Sequence, residues 1–209
     1  KGDISFLNSL KDWVPNEKLK VFDLGSEESL TYNPLQAGTP IEAAQRLFSS
    51  LTWSEEYYKS KANSVLQRLF QLHHKNSEGK NPTLMELSEY LDNPEEYAAV
   101  SVSDTYPEKL AEREFVELSG LRDQIRTLCT GYLSKILSPK ESHMRFEETV
   151  NGKVLYFRLQ SLLSPQLVST LGKLIINHLN YMAGIAHRGT GEMTGGKLVP
   201  TYMDEFASF

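Results

Sequence analysis

Cysteine occurs once in this chain, at Cys129, so an intrachain disulfide is excluded and the thiol content gives no support to an oxidising compartment. No apolar run approaches the roughly 20 residues needed to span a bilayer, and the opening Lys1-Gly2-Asp3 is neither a signal peptide nor an initiator methionine. Any membrane anchor therefore lies outside this chain. An excess of basic charge is missing too: 22 Lys and Arg stand against 27 Asp and Glu, which removes a general attraction for nucleic acid or anionic lipid and leaves only a local patch as a route to either. The phosphate-cradling pattern Gly-x-x-x-x-Gly-Lys-Ser/Thr is also absent. These residues by themselves are not expected to hydrolyse a nucleotide.

What is present is enough for one substantial core, or a core with a helical subdomain, since soluble domains commonly hold about 100–200 residues. Both ends read as cuts in something longer, because the last apolar run has nothing after it to complete a sheet. Residues 18–24 form a strand-like run closed by Gly25, followed by an extended stretch to Thr39 that contains Tyr32-Asn33-Pro34-Leu35. From Pro40 to about Ser138 the apolar spacing turns helical. Trp53, Tyr57, Ala62, Val65, Leu66, Leu69 and Phe70 mark one long amphipathic helix, with Thr52 and Glu55 as its capping box and an end near His74. Asn81-Pro82-Thr83-Leu84 opens a short helix through Leu91, and Pro94 begins another. Leu118, Leu121, Ile125, Leu128, Cys129, Tyr132, Leu133 and Ile136 share one face of what reads as the longest helix.

After Pro139 the period changes again. Phe146 to Val150, Asn151-Gly152 and Lys153 to Leu159 carry the signal of a hairpin on a type I′ turn. Ser164-Pro165 starts a helix with the stripe Val168, Leu171, Leu174, Ile175, Leu179, Met182 and Ile185. A Gly/Thr-rich loop, Gly189 to Gly196, leads into the apolar run Leu198 to Met203. Strand, helix and strand in that order make a crossover unit of a parallel sheet. The expected fold is thus α/β: residues 1–39 and 139–209 form a parallel-sheet core, and 40–138 an all-α subdomain inserted into it.

The sharpest chemical feature is the run Leu198-Val199-Pro200-Thr201-Tyr202-Met203 ending in Asp204-Glu205. In P-loop ATPases the first acid of such a pair holds Mg²⁺ and the second orients the attacking water. The bland alternative is a strand that leaves the core through two acids, and Pro200 sits awkwardly in a central strand.

Three separated pieces together resemble one family. Lys1-Gly2-Asp3, the aromatic-Asn-Pro-Leu element Tyr32 to Leu35 ahead of a helical insertion, and Asp204-Glu205-Phe206 after the return strand and helix are similar to the cytoplasmic ATPases of type IV secretion and conjugation, the TraD/TraG-type coupling proteins. The succession spans nearly the whole chain. The resemblance implies a RecA-like P-loop NTPase core, homo-hexameric in the full-length motor and working at the cytoplasmic face of the bacterial inner membrane. It implies ATP and Mg²⁺ as cofactors, with Asp204 binding the nucleotide's Mg²⁺ and Glu205 catalytic. The implied partners are relaxosome proteins, DNA or secreted protein substrates, and components of the secretion channel.

Two other classes of function compete. The helical insertion can be a recognition module that binds relaxosome DNA or a secreted protein. The chain can also belong to another RecA-like translocase, such as the septum DNA pumps, although a core without the insertion is the expectation there. Other residues carry blander readings. His73 and His74 point in different directions on a helix and find no third ligand at suitable spacing, while His143, His178 and His187 are scattered. Cys129 lies on an apolar face as a small hydrophobe. The 189–196 loop precedes a strand rather than a helix N-terminus, so it is a connection and not a phosphate cradle. Lys59, Lys61 and Arg68, or Arg113, Arg122 and Arg126, are interleaved with acids and read as solvated helix faces rather than a DNA stripe.

Overall fold

The structure, a computed structural model, describes residues 4–102, 108–159, 164–187 and 199–203. It is mostly helical, with one two-stranded parallel sheet, and divides into two compact units: residues 33–141, and residues 1–32 together with 142–209. The sequence-based boundaries stood at 39/40 and 138/139.

Among its described residues the unit 33–141 is built of helices joined by turns, with no strand: α2 (Pro40–Ser50), α3 (Glu56–Asn76), α4 (Leu84–Asp92), α5 (Pro94–Ser101), α6 (Glu108–Glu117), α7 (Ser119–Leu128) and α8 (Leu133–Leu137). Local chemistry sets the starts. Thr39 and Thr83 each accept from the backbone N–H three residues on, while Glu42 and Glu86 reach back to the threonine backbone, giving capping boxes at α2 and α4. Asn93 caps α5, with Pro94 in its first turn. Ala43, Ala44 and Leu47 of α2 are buried, as are Val65, Leu66, Leu69 and Phe70 of the neighbouring α3. Leu84, Leu87 and Leu91 of α4 are also buried, beside α7 with its buried Leu121, Ile125 and Leu128. Each of these Val, Leu, Ile and Phe side chains contributes about 1.5–3 kcal/mol by leaving water.

Two helix expectations are corrected here. Thr52 does not cap α3, which begins at Glu56 with no side-chain cap; the Gln124 amide instead takes the Thr52 N–H at 2.8 Å and donates to its carbonyl at 3.0 Å. The expected long helix over 118–136 is two pieces, α7 and α8. Leu118 breaks α6 from α7, and the chain turns through Cys129 to Gly131, where Gly131 has φ +60, a conformation nearly closed to residues with a Cβ.

The other unit contains α1 (Ile4–Trp13), which the apolar pattern had not signalled, β1 (Leu19–Asp23), β2 (Val154–Arg158) and α9 (Pro165–His187). The strands pair parallel, from Leu19 opposite Val154 to Asp23 opposite Arg158. The expected hairpin does not form. Residues Phe146–Asn151 are a 3-10 helix, and Gly152, at φ +81, ends that helix instead of turning a hairpin. Tyr32 sits in this unit's core, its ring edge-on to Phe22, Phe146 and Phe157 at 5.1–6.2 Å between centroids and stacked on His178 at 6.0 Å. Its hydroxyl lies 2.9 Å from His178 Nδ1. Val168, Leu171, Leu174, Ile175 and Met182 of the expected α9 stripe are buried.

Candidate functional site

Asp204, Glu205 and Phe206 lie outside the described residues, as do Lys1-Gly2-Asp3 and the 188–198 stretch that holds the Gly/Thr-rich loop. Their immediate neighbours are described. Residues 199–203 belong to no strand, and Val199, Tyr202 and Met203 are 40%, 79% and 38% exposed. This corrects the expected core strand over 198–203, because a parallel strand of an α/β sheet is covered on both faces and Pro200 has no N–H to give a ladder. Phe6 of α1 reaches this segment, stacking on Tyr202 at 6.2 Å and meeting Tyr156 of β2 at 5.8 Å.

At the carboxyl ends of the two strands, where open α/β sheets bind ligands, Asp23 and Arg158 are register partners and form an ion pair at 2.8 Å. Asp23 is held in place by its neighbours. Its backbone N–H donates to Ser29 Oγ at 2.8 Å, and its Oδ1 accepts from the Gly25 N–H at 3.0 Å. Both side chains are largely buried, so an anion binding here would have to compete with the Asp23 carboxylate for the guanidinium.

Within the Tyr-Asn-Pro-Leu element, Asn33, Pro34 and Leu35 are buried and work structurally. Asn33 Oδ1 accepts from the Leu35 N–H at 2.9 Å, and Nδ2 donates to the Pro139 carbonyl at 2.9 Å. Arg46 of α2 donates to the carbonyls of Pro34, at 2.9 Å, and Ala37. Asn81 donates to those of Leu35 at 3.2 Å and Gly38 at 3.0 Å. The element fixes where the chain enters the helical unit and ties that point to the place where it leaves. Sequence reading placed the motif, but its hydrogen-bond partner across 106 residues leaves no local signal.

The six cations weighed as DNA stripes are all engaged. Lys59 pairs with Glu56, Lys61 and Arg113 with Glu117, Arg68 with Glu114 and Arg126 with Asp92. Arg122 lies 4.2 Å from the Phe115 ring centroid and donates to the Phe115 carbonyl. Phosphate binding at these positions would break internal partnerships. The histidines are structural as well: His73 bonds Tyr90, His143 bonds Thr31 and His178 bonds Tyr32. The side chain of His187 is outside the described set. Among the described residues no group of three His, Cys, Asp or Glu could hold a metal ion.

A shallow concavity of about 420 Å³ on α4 and α5 is lined by Met85, Ser88, Glu89, Asp92, Asn93 and Glu96. Its carboxylates repel phosphate, so it is no nucleotide site. No helix of the described residues is long and apolar enough to cross a membrane. No protein-family profile, curated protein or solved structure matches this chain.

Proposed function

We propose that this chain is part of an ATP-driven coupling motor of type IV secretion or conjugation, with a RecA-like core formed around residues 1–32 and 142–209 and the helical unit 33–141 inserted into it. The observation that carries the reading is topological. Two strands more than a hundred residues apart pair in parallel, and the helical unit between them begins directly after Tyr32, inside the Asn-Pro-Leu element. Lys1-Gly2-Asp3 before β1 and Asp204-Glu205-Phe206 after α9 stand in the order such a motor requires.

In this reading Asp204 binds the Mg²⁺ of ATP, Glu205 orients the attacking water, and the phosphate loop is supplied outside these 209 residues. Bound Mg-ATP supplies the phosphoryl group and its charge neutralisation. The helical unit is then the part that meets DNA, relaxosome proteins or secreted proteins. Its engaged cations favour protein over nucleic acid as its partner.

The test is made in the full-length motor. Glu205→Gln keeps the shape of the side chain but loses the carboxylate, so ATP should still bind while hydrolysis and transfer slow; Asp204→Asn should weaken Mg²⁺-dependent nucleotide binding. A Glu205→Gln motor that hydrolyses ATP and moves substrate at the wild-type rate removes the assignment.

A further inference from the structure

Helix α6 is anchored on α3 by charge. Of its described side chains Ala111 and Glu114 alone are buried, and Val116 stands 73% exposed. Its path follows α5 and α7, and it reaches α3 through long side chains. Glu114 pairs with Arg68, while Glu117 pairs with Lys61 and accepts from the Tyr57 hydroxyl at 3.3 Å. Tyr97 of α5 donates to the same Glu114 oxygen as Arg68. Tyr57, Lys61 and Arg68 lie within about 40° of one another around α3, and the Lys61 ammonium sits 5.8 Å from the Tyr57 ring centroid. A stripe of one aromatic ring and two cations therefore runs along α3, and two carboxylates three residues apart on one face of α6 cover it.

We propose that α6 is a self-ligand: within the folded chain it occupies a docking surface on α3 that fits an acidic helix of a partner protein, and that partner binds by displacing it. The present occupant defines the chemistry, since it is itself a helix offering Glu114 and Glu117 to Arg68 and Lys61. An incoming acidic helix exchanges carboxylate for carboxylate and strands no cation. An apolar occupant would leave the Arg68 guanidinium, 21% exposed, covered and unpaired, which is strongly unfavourable. The ion pairs that hold α6 are themselves close to neutral in net stability, so the exchange is nearly balanced and a few added contacts decide it. Tyr and Arg are the side chains that anchor protein interfaces. A nucleic-acid strand also brings negative charge, but a single ring and two cations fall short of the row of stacking rings that single strands use.

The inference rests on the reading of the helical unit as the part that meets a partner, and not on the nucleotide chemistry. Release of α6 is measured without nucleotide or transfer, so either can fail alone.

In the full-length protein, Glu114→Gln with Glu117→Gln keeps both side-chain shapes and removes both charges. The α6 amides should then exchange about tenfold faster or more than in wild type, while the Leu69 amide of α3 stays protected. The binding probe is a fluorescent peptide of residues 108–117, the α6 sequence itself. In wild type it competes with a tethered copy at roughly millimolar effective concentration, so the variant should bind it at least about tenfold more tightly. Adding Lys61→Glu should abolish that gain. Unchanged α6 exchange, equal peptide affinity in wild type and variant, or a gain that survives Lys61→Glu overturns the proposal. So does a variant that takes a single-stranded oligonucleotide in preference to the peptide. Should the double variant lose its helical circular dichroism, Glu117→Gln decides alone, because its pair is the more exposed. Peptide binding tightened by roughly threefold supports the self-ligand, and unchanged binding overturns it.

Discussion

Nδ1 of His73 lies 2.7 Å from the hydroxyl of Tyr90, joining α3 to α4 with the rings tilted at 5.8 Å. Burial holds the His73 pKa below its ordinary 6.5, against a smaller upward pull from Glu86, whose carboxylate is 4.0 Å from Nε2; neighbouring His74 pushes down again. The unfolded chain therefore takes this proton at higher pH than the folded one. The contribution of neutral His73 is complete above about pH 7 and is lost as pH falls through 6.5 towards the lower folded value. Thermal unfolding should show a lower midpoint at about pH 5.5 than at about pH 7.5, and His73→Gln should flatten that slope. An unchanged slope in the variant would exclude His73 as the cause.

Asn33→Ala removes both the turn to Leu35 and the bond to Pro139, leaving the buried Leu35 N–H without its acceptor and the half-buried Pro139 carbonyl without its donor. It should cost about 1–3 kcal/mol in urea denaturation. Asn33→Asp keeps the turn acceptor but not the donor, so it should fall between. A neutral Asn33→Ala would show that capping and apolar packing fix the helical unit without this clasp.

Glu114 of α6 is bonded by both Arg68 of α3 and the Tyr97 hydroxyl of α5. Burial, then the bond to Glu114, raises the Tyr97 pKa well above its ordinary value, so the phenol stays protonated and donates. Arg68→Met leaves a buried carboxylate with less compensation and should destabilise by about 3 kcal/mol. The double variant Arg68→Met, Glu114→Leu should recover part of that loss. A double variant worse than the single would mean the three groups do not act as one network.

The Cys129 thiol is pushed up to about 12, chiefly by burial, and so is neutral at physiological pH. Alkylation of native protein at about pH 8 should be far slower than that of a model thiol, and should reach the model rate only in denaturant. Fast labelling of the native chain would show that α7 and α8 open readily around it.

Much of the helical unit was legible because its signals are local, and the failures occur where a distant partner decides. Of the Thr-x-x-Glu patterns whose threonine is described, those at 39–42 and 83–86 are capping boxes, while Thr52 of 52–55 is taken by Gln124 from α7. Asn151-Gly152 carries a strong hairpin signal, yet β2 is paired by β1 from the far end of the sequence, and Gly152 uses its positive φ to end a 3-10 helix. Gly131 was the overlooked stop in the helix expected over 118–136. Ser164-Pro165 and the α9 stripe needed no tertiary knowledge and placed that helix correctly. Of the expected catalytic pair, Asp204 and Glu205 fall outside the described residues. The engagement of Arg68, Lys61 and Arg126 was beyond local reading, since acids interleaved along a chain do not reveal which cation each will meet.

The Thr31 carbonyl accepts from the N–H groups of both His143 and Met144 at 3.0 Å. The polypeptide thus closes on itself at the neck of the helical block, and whatever lies between 31 and 143 is a loop in the topological sense. A short peptide can span that neck without moving β1 or β2, since chain ends this close are where domains tolerate insertion. In evolutionary terms the block is a cassette: a stretch that leaves and returns at one point of the chain can be acquired, traded or discarded in one recombination event, with the sheet under separate selection.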